Sequence, residues 1–355
     1  ERAFIGLMET SDPASNIWED KGFVVCSASD KGKTDYGRSS INDWEGYFKI
    51  NAIDPTYIIT ENGEHSLIYG SWHSGIAALQ VNPEDGKPLN ALGNPWDITG
   101  EDNSGYGKII ATRGTSRWQA SEGPEVIYRD GYYYLFLAYG SLSVEYNTRV
   151  CRSKNIDGPY VDIHGNSAMG SAQLYPILTA PYRFDNSYGW VGISHCGIFD
   201  DGAGNWFYTS QGRFPVNVGG NEYSNAIMMG HVRSIRWDAN GWPLVMPERY
   251  GAVPQAPITE NEIAGDWEHL ALTTSTGTQR TSETMTYDLG THKITSGSWK
   301  NATWTFDAAT QTITTSAGVV LYLQREVDWE ASPRTHTIVY AAQGNQKTYW
   351  GKKLQ

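Results

Sequence analysis

Three ionisable residues of this chain share one spacing. Asp54, Glu122 and His195 each precede a turn glycine by nine positions, at Gly63, Gly131 and Gly204. They stand 68 and 73 residues apart. Each is followed by an apolar run, a turn rich in Asn, Asp or Gly, and a second apolar run: Ser66–Ser71, Tyr132–Gly140 and Trp206–Tyr208. Asn-Gly and Asp-Gly between apolar runs signal a hairpin, because both central positions accept positive φ. The pattern predicts three strand–turn–strand units, each with an ionisable group at the head of its first strand. Unrelated polar residues also lead strands, but an offset repeated three times argues for a shared layout.

Two carboxylates facing one groove suit cleavage of a glycosidic bond. One protonates the leaving oxygen, and the other activates water or attacks the sugar. A general acid must keep its proton near neutral pH, which burial or a negative neighbour achieves. Glu122 has the longer reach and precedes Gly123-Pro124, where the chain can bend, so it is the candidate acid. Asp54, held by the stiff Pro55, is the candidate negative neighbour. Ser71, Trp72, Trp118 and Phe214 lie around the three copies and are candidate substrate contacts. Aromatic faces pack well on sugar C–H groups, although any one such ring serves a β core equally well.

The elements that must position these groups are strands. The 355 residues include 14 Trp, 22 Tyr and 38 Gly, and no long stretch carries a 3.6-residue apolar period. An all-β fold in two domains follows, residues 1–252 and 258–355. A repeat of roughly 70 residues with several strands in each copy is a propeller pattern. Equivalent inner-strand positions of a propeller face one another, so Asp54, Glu122 and His195 are expected to converge. The net charge is −12 and no basic stripe exists, which excludes a nucleic-acid partner and disfavours an anionic polymer. No apolar run of about 18 residues exists to span a membrane. Three cysteines, Cys26, Cys151 and Cys196, make no disulfide framework. The opening Glu1–Gly6 is no intact signal peptide and reads like the middle of a strand.

Several motifs together resemble the arabinanases of glycoside hydrolase family 43. These are Trp18-Glu19-Asp20-Lys21-Gly22, Asn51-Ala52-Ile53-Asp54-Pro55, Gly70-Ser71-Trp72, Ser121-Glu122-Gly123-Pro124 and Gly241-Trp242-Pro243. Residues from 258 on, with Gly265-Asp266-Trp267 and Thr348-Tyr349-Trp350-Gly351, resemble the C-terminal β-barrel of some of these enzymes. The resemblance implies a five-bladed β-propeller followed by a small β-barrel, and hydrolysis of α-1,5-L-arabinan or arabino-oligosaccharides with inversion. It implies Glu122 as general acid, Asp54 as the carboxylate that orients it and modulates its pKa, and His195 beside a calcium ion held largely through water. The family's base is an Asp in a His-Asp-Pro motif, which this sequence lacks. The first blade and most of the second are therefore expected on a separate chain or fragment that completes the ring. The substrate, a plant-wall polymer, implies an extracellular, cell-surface or periplasmic bacterial enzyme. A xylosidase, arabinofuranosidase or galactanase on the same fold, or a non-catalytic carbohydrate-binding propeller, are the alternatives.

Overall fold

The computed structural model of the chain describes residues 3–27, 51–72, 75–90, 92, 105–113, 121–170, 173–184, 187–273 and 278–355. Within them, helix amounts to single 3-10 turns such as Pro13–Ser15, Ser224–Ala226 and Glu260–Glu262. The chain divides into two units. One comprises residues 1–138 and 150–174, the other residues 139–149 and 175–355.

In the first unit, β1 (Phe4–Glu9) and β2 (Glu19–Cys26) form an antiparallel pair. β3 (Thr56–Ile59), β4 (His65–Tyr69), β5 (Ile76–Val81) and β6 (Lys108–Ala111) follow as a four-stranded antiparallel sheet in chain order. β4 and β5 are almost continuously buried, whereas the edge strand β3 alternates and exposes Tyr57 and Ile59. Ile5, Val25, Leu67, Tyr69, Leu79 and Ile109 share one core. β7 (Glu122–Arg129) and β8 (Tyr132–Tyr139) form a hairpin, and β9 (Asn147–Ser153) runs from the second unit into the first.

The turns differ in one respect from the sequence pattern. Asp130-Gly131 is a two-residue loop with both φ positive, at 49° and 82°, as the dipeptide predicts. Asn62-Gly63 instead sits in a five-residue loop, since Ile59 pairs with His65. Thr60 causes the difference: its carbonyl accepts from Gly63 N–H and its hydroxyl from Glu64 N–H at 3.0 Å, which closes the wider loop.

The second unit opens with β10 (Ile177–Thr179) and β11 (Tyr182–Arg183). β12 (Gly197–Asp200), β13 (Trp206–Arg213), β14 (Met228–Trp237) and β15 (Pro243–Val245) form a second four-stranded antiparallel sheet in chain order. The remaining strands are β16 (Gly265–Leu272), β17 (Arg280–Thr281), β18 (Glu283–Asp288), β19 (Lys293–Ile294) and β20 (Trp304–Asp307). They continue as β21 (Thr312–Thr315), β22 (Val319–Asp328), β23 (Thr335–Gly344) and β24 (Lys347–Lys353). All of these except β17 make an eight-stranded sheet in the order β19-β18-β16-β24-β23-β22-β21-β20. An isolated bridge between Lys293 and Thr303, next to β20, brings its two ends together, so the sheet is a nearly closed barrel. Trp267, Met285, Tyr287, Trp304, Leu321 and Tyr340 fill the interior. Gly351 is required on β24, because a Cβ there would lie 2.1 Å from the Tyr340 ring.

A buried ionic cluster lies in this unit. The Lys352 ammonium sits 2.7 Å from Glu330, 2.8 Å from Asp328, 3.2 Å from Glu248 and 3.7 Å from Glu268. Burial alone would lower the pKa of Lys352, but Glu248 and Glu330 override it and hold the lysine charged. Burial, reinforced by Glu330, pushes the Glu248 carboxyl well up, so it shares a proton toward Glu330. A buried ammonium without such partners would cost several kcal/mol. His269, beside Glu268 on β16, is a packing residue: it is buried, bonds the Tyr340 hydroxyl at 2.6 Å through Nδ1 and stacks on Tyr349.

Two buried histidines make this unit sensitive to acid. Burial, helped by Arg233 and Arg249, pushes His231 down to about 2, and burial pushes His269 down to about 3. In the unfolded chain both titrate near 6.5, so between that pH and the depressed values the unfolded state binds more protons. Stability is therefore complete above pH 6.5 and falls as the pH drops, by about 1.4 kcal/mol per pH unit for each histidine fully in the window. Denaturant unfolding from pH 7 to pH 5 should show this slope, and His231→Phe should remove about one proton from it. An unchanged slope in that variant would mean that His231 is protonated in the folded protein.

Candidate active site

The site in the first unit is built on departures from regular strand. β7 pairs Glu122 with Ala138 but Glu125 with Phe136, so one extra residue is bulged at Gly123-Pro124. Gly123 takes φ 55°, and Pro124, which has no N–H to donate, is tolerated in such a bulge. The bulge turns the Glu122 side chain out of the regular alternation. Asp54, two residues ahead of β3, is itself left-handed at φ 54°, and His195, two residues ahead of β12, at φ 58°. The nine-residue offset is thus common to the three copies, but in the Glu122 copy the left-handed residue is the glycine that follows.

The turn Gly70-Ser71-Trp72 meets Glu122. Gly70 has φ 128°, and a Cβ there would approach the Gly75 carbonyl oxygen to 2.4 Å, so only glycine fits. Gly70 N–H donates to Ile53 O at 3.0 Å, Asn51 Nδ2 donates to Ser71 O at 3.2 Å, and Trp72 N–H donates to Ser121 O at 3.0 Å. The turn is therefore pinned to the segments that carry Asp54 and Glu122. Two side-chain donors then converge on one oxygen: Ser71 Oγ lies 2.8 Å and Trp72 Nε1 2.9 Å from Glu122 Oε2. On the other side, Gly123 N–H donates to Asp54 Oδ2 at 3.3 Å. Ser71 is buried, and Glu122, Asp54 and Trp72 are half-buried. Two donors on one oxygen fix the plane of this half-buried carboxyl.

His195 and Phe214 belong to the second unit. His195 is exposed, and its Nδ1 lies 3.2 Å from the Tyr146 hydroxyl. Behind it, Ser194 Oγ, Thr148 Oγ1 and Tyr208 OH form a buried chain with spacings of 2.7 and 2.8 Å. Phe214 is half-buried and stacks on Trp190 with centroids 4.7 Å apart, against a core containing Tyr182, Leu270 and Trp350. Trp118 lies outside the described residues. Calcium prefers oxygen ligands, most of which water would supply beside a histidine. Among the described residues the one set of three clustered His, Cys, Asp or Glu ligand atoms is Glu248, Asp328 and Glu330, whose centre Lys352 occupies.

The model of glycosyl hydrolases family 43 matches residues 9–243. The chain belongs to this family. A second model, the C-terminal lipocalin-like domain of family 43 proteins, matches residues 247–351, which contain the barrel strands. The family 43 chain is 30% identical over 240 residues to an extracellular endo-α-(1→5)-L-arabinanase of Bacillus subtilis, covering 61% of this chain and 46% of that protein. It is 30% identical over 239 residues to the extracellular endo-α-(1→5)-L-arabinanase of Thermotoga petrophila, covering 62% and 46%. The chain thus spans about half the length of the curated relatives it matches. The crystal structure of the endo-1,5-α-L-arabinanase of T. petrophila shares the fold with a TM-score of 0.79 at 24% identity, over 99% of this chain and 77% of that one. The family 43 YxiA protein of Bacillus licheniformis does so with a TM-score of 0.78 at 23% identity, again over 99% and 77%.

In this family 43 chain the structure joins Asp54, Ser71, Trp72 and Glu122 in one hydrogen-bonded group. All four were named from the sequence, Ser71 and Trp72 as substrate contacts, and the polar atoms of these two also donate to Glu122. Asn51, which clasps the Ser71 carbonyl, was visible only as part of a motif. Tyr146 was missed, since a tyrosine ahead of a strand carries no signal of its histidine partner.

Proposed function

We propose that this protein is an extracellular glycoside hydrolase that cleaves α-1,5-L-arabinan with inversion, residues 1–252 forming its catalytic domain and residues 258–355 its barrel. The clamp on Glu122, from Ser71 Oγ at 2.8 Å and Trp72 Nε1 at 2.9 Å, carries this reading. The family membership and the arabinanase names of the extracellular relatives support it. Glu122, as a carboxylic acid, passes its proton to the glycosidic oxygen while the bond from that oxygen to C1 breaks. A water oxygen forms the new bond to C1 from the opposite face and yields a proton to a carboxylate base. Solvent then reprotonates Glu122. Asp54 orients the acid through Gly123 N–H. The sequence holds no His-Asp-Pro, so no residue of these 355 is assigned as the base.

Incubation with linear α-1,5-arabinan, with products resolved by chromatography, tests the reading. Glu122→Gln keeps the side chain's size and removes its acid, and should lower turnover roughly 100-fold or more. Undiminished hydrolysis by that variant would overturn the acid assignment.

Ser71→Ala separates positioning from substrate contact. Loss of one donor on Oε2 should lower kcat roughly ten-fold and leave KM within about two-fold. A raised KM with unchanged kcat would make Ser71 a substrate contact instead.

A further inference from the structure

A groove of about 690 Å³ opens to solvent in the second unit, and none of the candidate catalytic, substrate or metal residues lines it. Its size lies within the ~300–1,000 Å³ of ordinary ligand sites. Trp206, the first residue of β13, and Trp237, the last of β14, meet edge to face with centroids 5.5 Å apart. Tyr250 packs on Phe207 at 4.9 Å and is 42% exposed. The two tryptophans are half-buried, so aromatic surface remains toward the water.

The walls are rigid and carry little charge. The Gln311 amide donates to Ile258 O at 3.2 Å and Ala308 O at 2.9 Å, and its oxygen accepts from Ile258 N–H at 2.6 Å. Arg236 is the one charged residue among those that line the groove. Its guanidinium donates to the backbone carbonyls of Leu323 and Thr310, so it is engaged within the protein. An anionic polymer finds no uncommitted cation here, and a cationic ligand finds no carboxylate. Half-exposed aromatic rings, in a groove whose one cation is engaged, match a ligand with apolar C–H faces and neutral hydroxyls.

We propose that this groove is a second binding site for a neutral polysaccharide, which holds the polymer while cleavage takes place at Glu122. The inference rests on the carbohydrate reading of the protein but not on which sugar is cut. Rings fixed by their own packing lose little freedom when a sugar lies on them, so retention of polymer rather than hydrolysis of short chains should depend on them.

Affinity electrophoresis of the full chain through gels containing linear arabinan, galactan or xylan tests this, with hydrolysis of a short arabino-oligosaccharide measured in parallel. Trp206→Ala with Tyr250→Ala should weaken retention by arabinan about ten-fold and leave oligosaccharide hydrolysis unchanged. Trp206→Phe, which keeps an aromatic face, should retain most of the binding and shows that loss in the alanine variant is not loss of fold. Retention by galactan or xylan alone, lost in the alanine variant, would keep the groove and remove the arabinan reading. Undiminished retention of a folded alanine variant would overturn the groove, as would a parent protein held by none of the three polymers.

Discussion

The carboxyl of Glu122 is held by three neighbouring constraints, and the architecture of the first unit is arranged to supply them. Ser71 and Trp72 donate to one oxygen, and the bulge at Gly123 turns the side chain to meet them. Each constraint depends on backbone that ordinary strand cannot provide. Asp54 and Trp72 are left-handed at φ 54° and 56°, and Gly70 lies at φ 128°. Left-handed backbone costs a non-glycine residue roughly 1–2 kcal/mol, and it persists where the surrounding structure leaves no alternative. Here the hydrogen bonds of Gly70 to Ile53 and of Trp72 to Ser121 hold the turn in place. This strain lies beside the clamped carboxyl of Glu122.

The second unit meets a different constraint. Its barrel closes around large aromatic side chains, and beside them lies an ammonium with four carboxylates around it. Such a cluster is stable only while each member keeps its partner, because one charge left behind is strongly penalised. The cluster draws Glu248 from the chain ahead of the barrel to Glu268, Asp328, Glu330 and Lys352, so it fixes that segment to the barrel as well as satisfying the lysine. Burial of His231 and His269 in neutral form adds a second electrostatic requirement on the same unit.

Much of this was legible in the residue order where the physics is local. Asp130-Gly131 announced its hairpin because the two positive φ values it needs belong to those residue types. The motifs Gly265-Asp266-Trp267 and Thr348-Tyr349-Trp350, assigned to the barrel, lie on its strands β16 and β24. What could not be read depends on long-range partners. Asn62-Gly63 looks like a two-residue turn until the Thr60 hydroxyl is seen to close a wider one. Nothing in the order of Ser71 and Trp72 shows that both donate to a residue some 50 positions away. The acidic partners of Lys352 come from three separate stretches, which no periodicity connects.

If Glu122 is the proton donor, its importance must vary with how much the leaving group needs a proton. The most direct measurement compares Glu122→Gln with the parent on arabinan and on an aryl α-L-arabinofuranoside whose phenol is acidic enough to leave unprotonated. The account predicts roughly a 100-fold or greater loss on arabinan and a far smaller loss on the aryl glycoside. Equal losses on both substrates would contradict it and assign Glu122 a role other than proton donation.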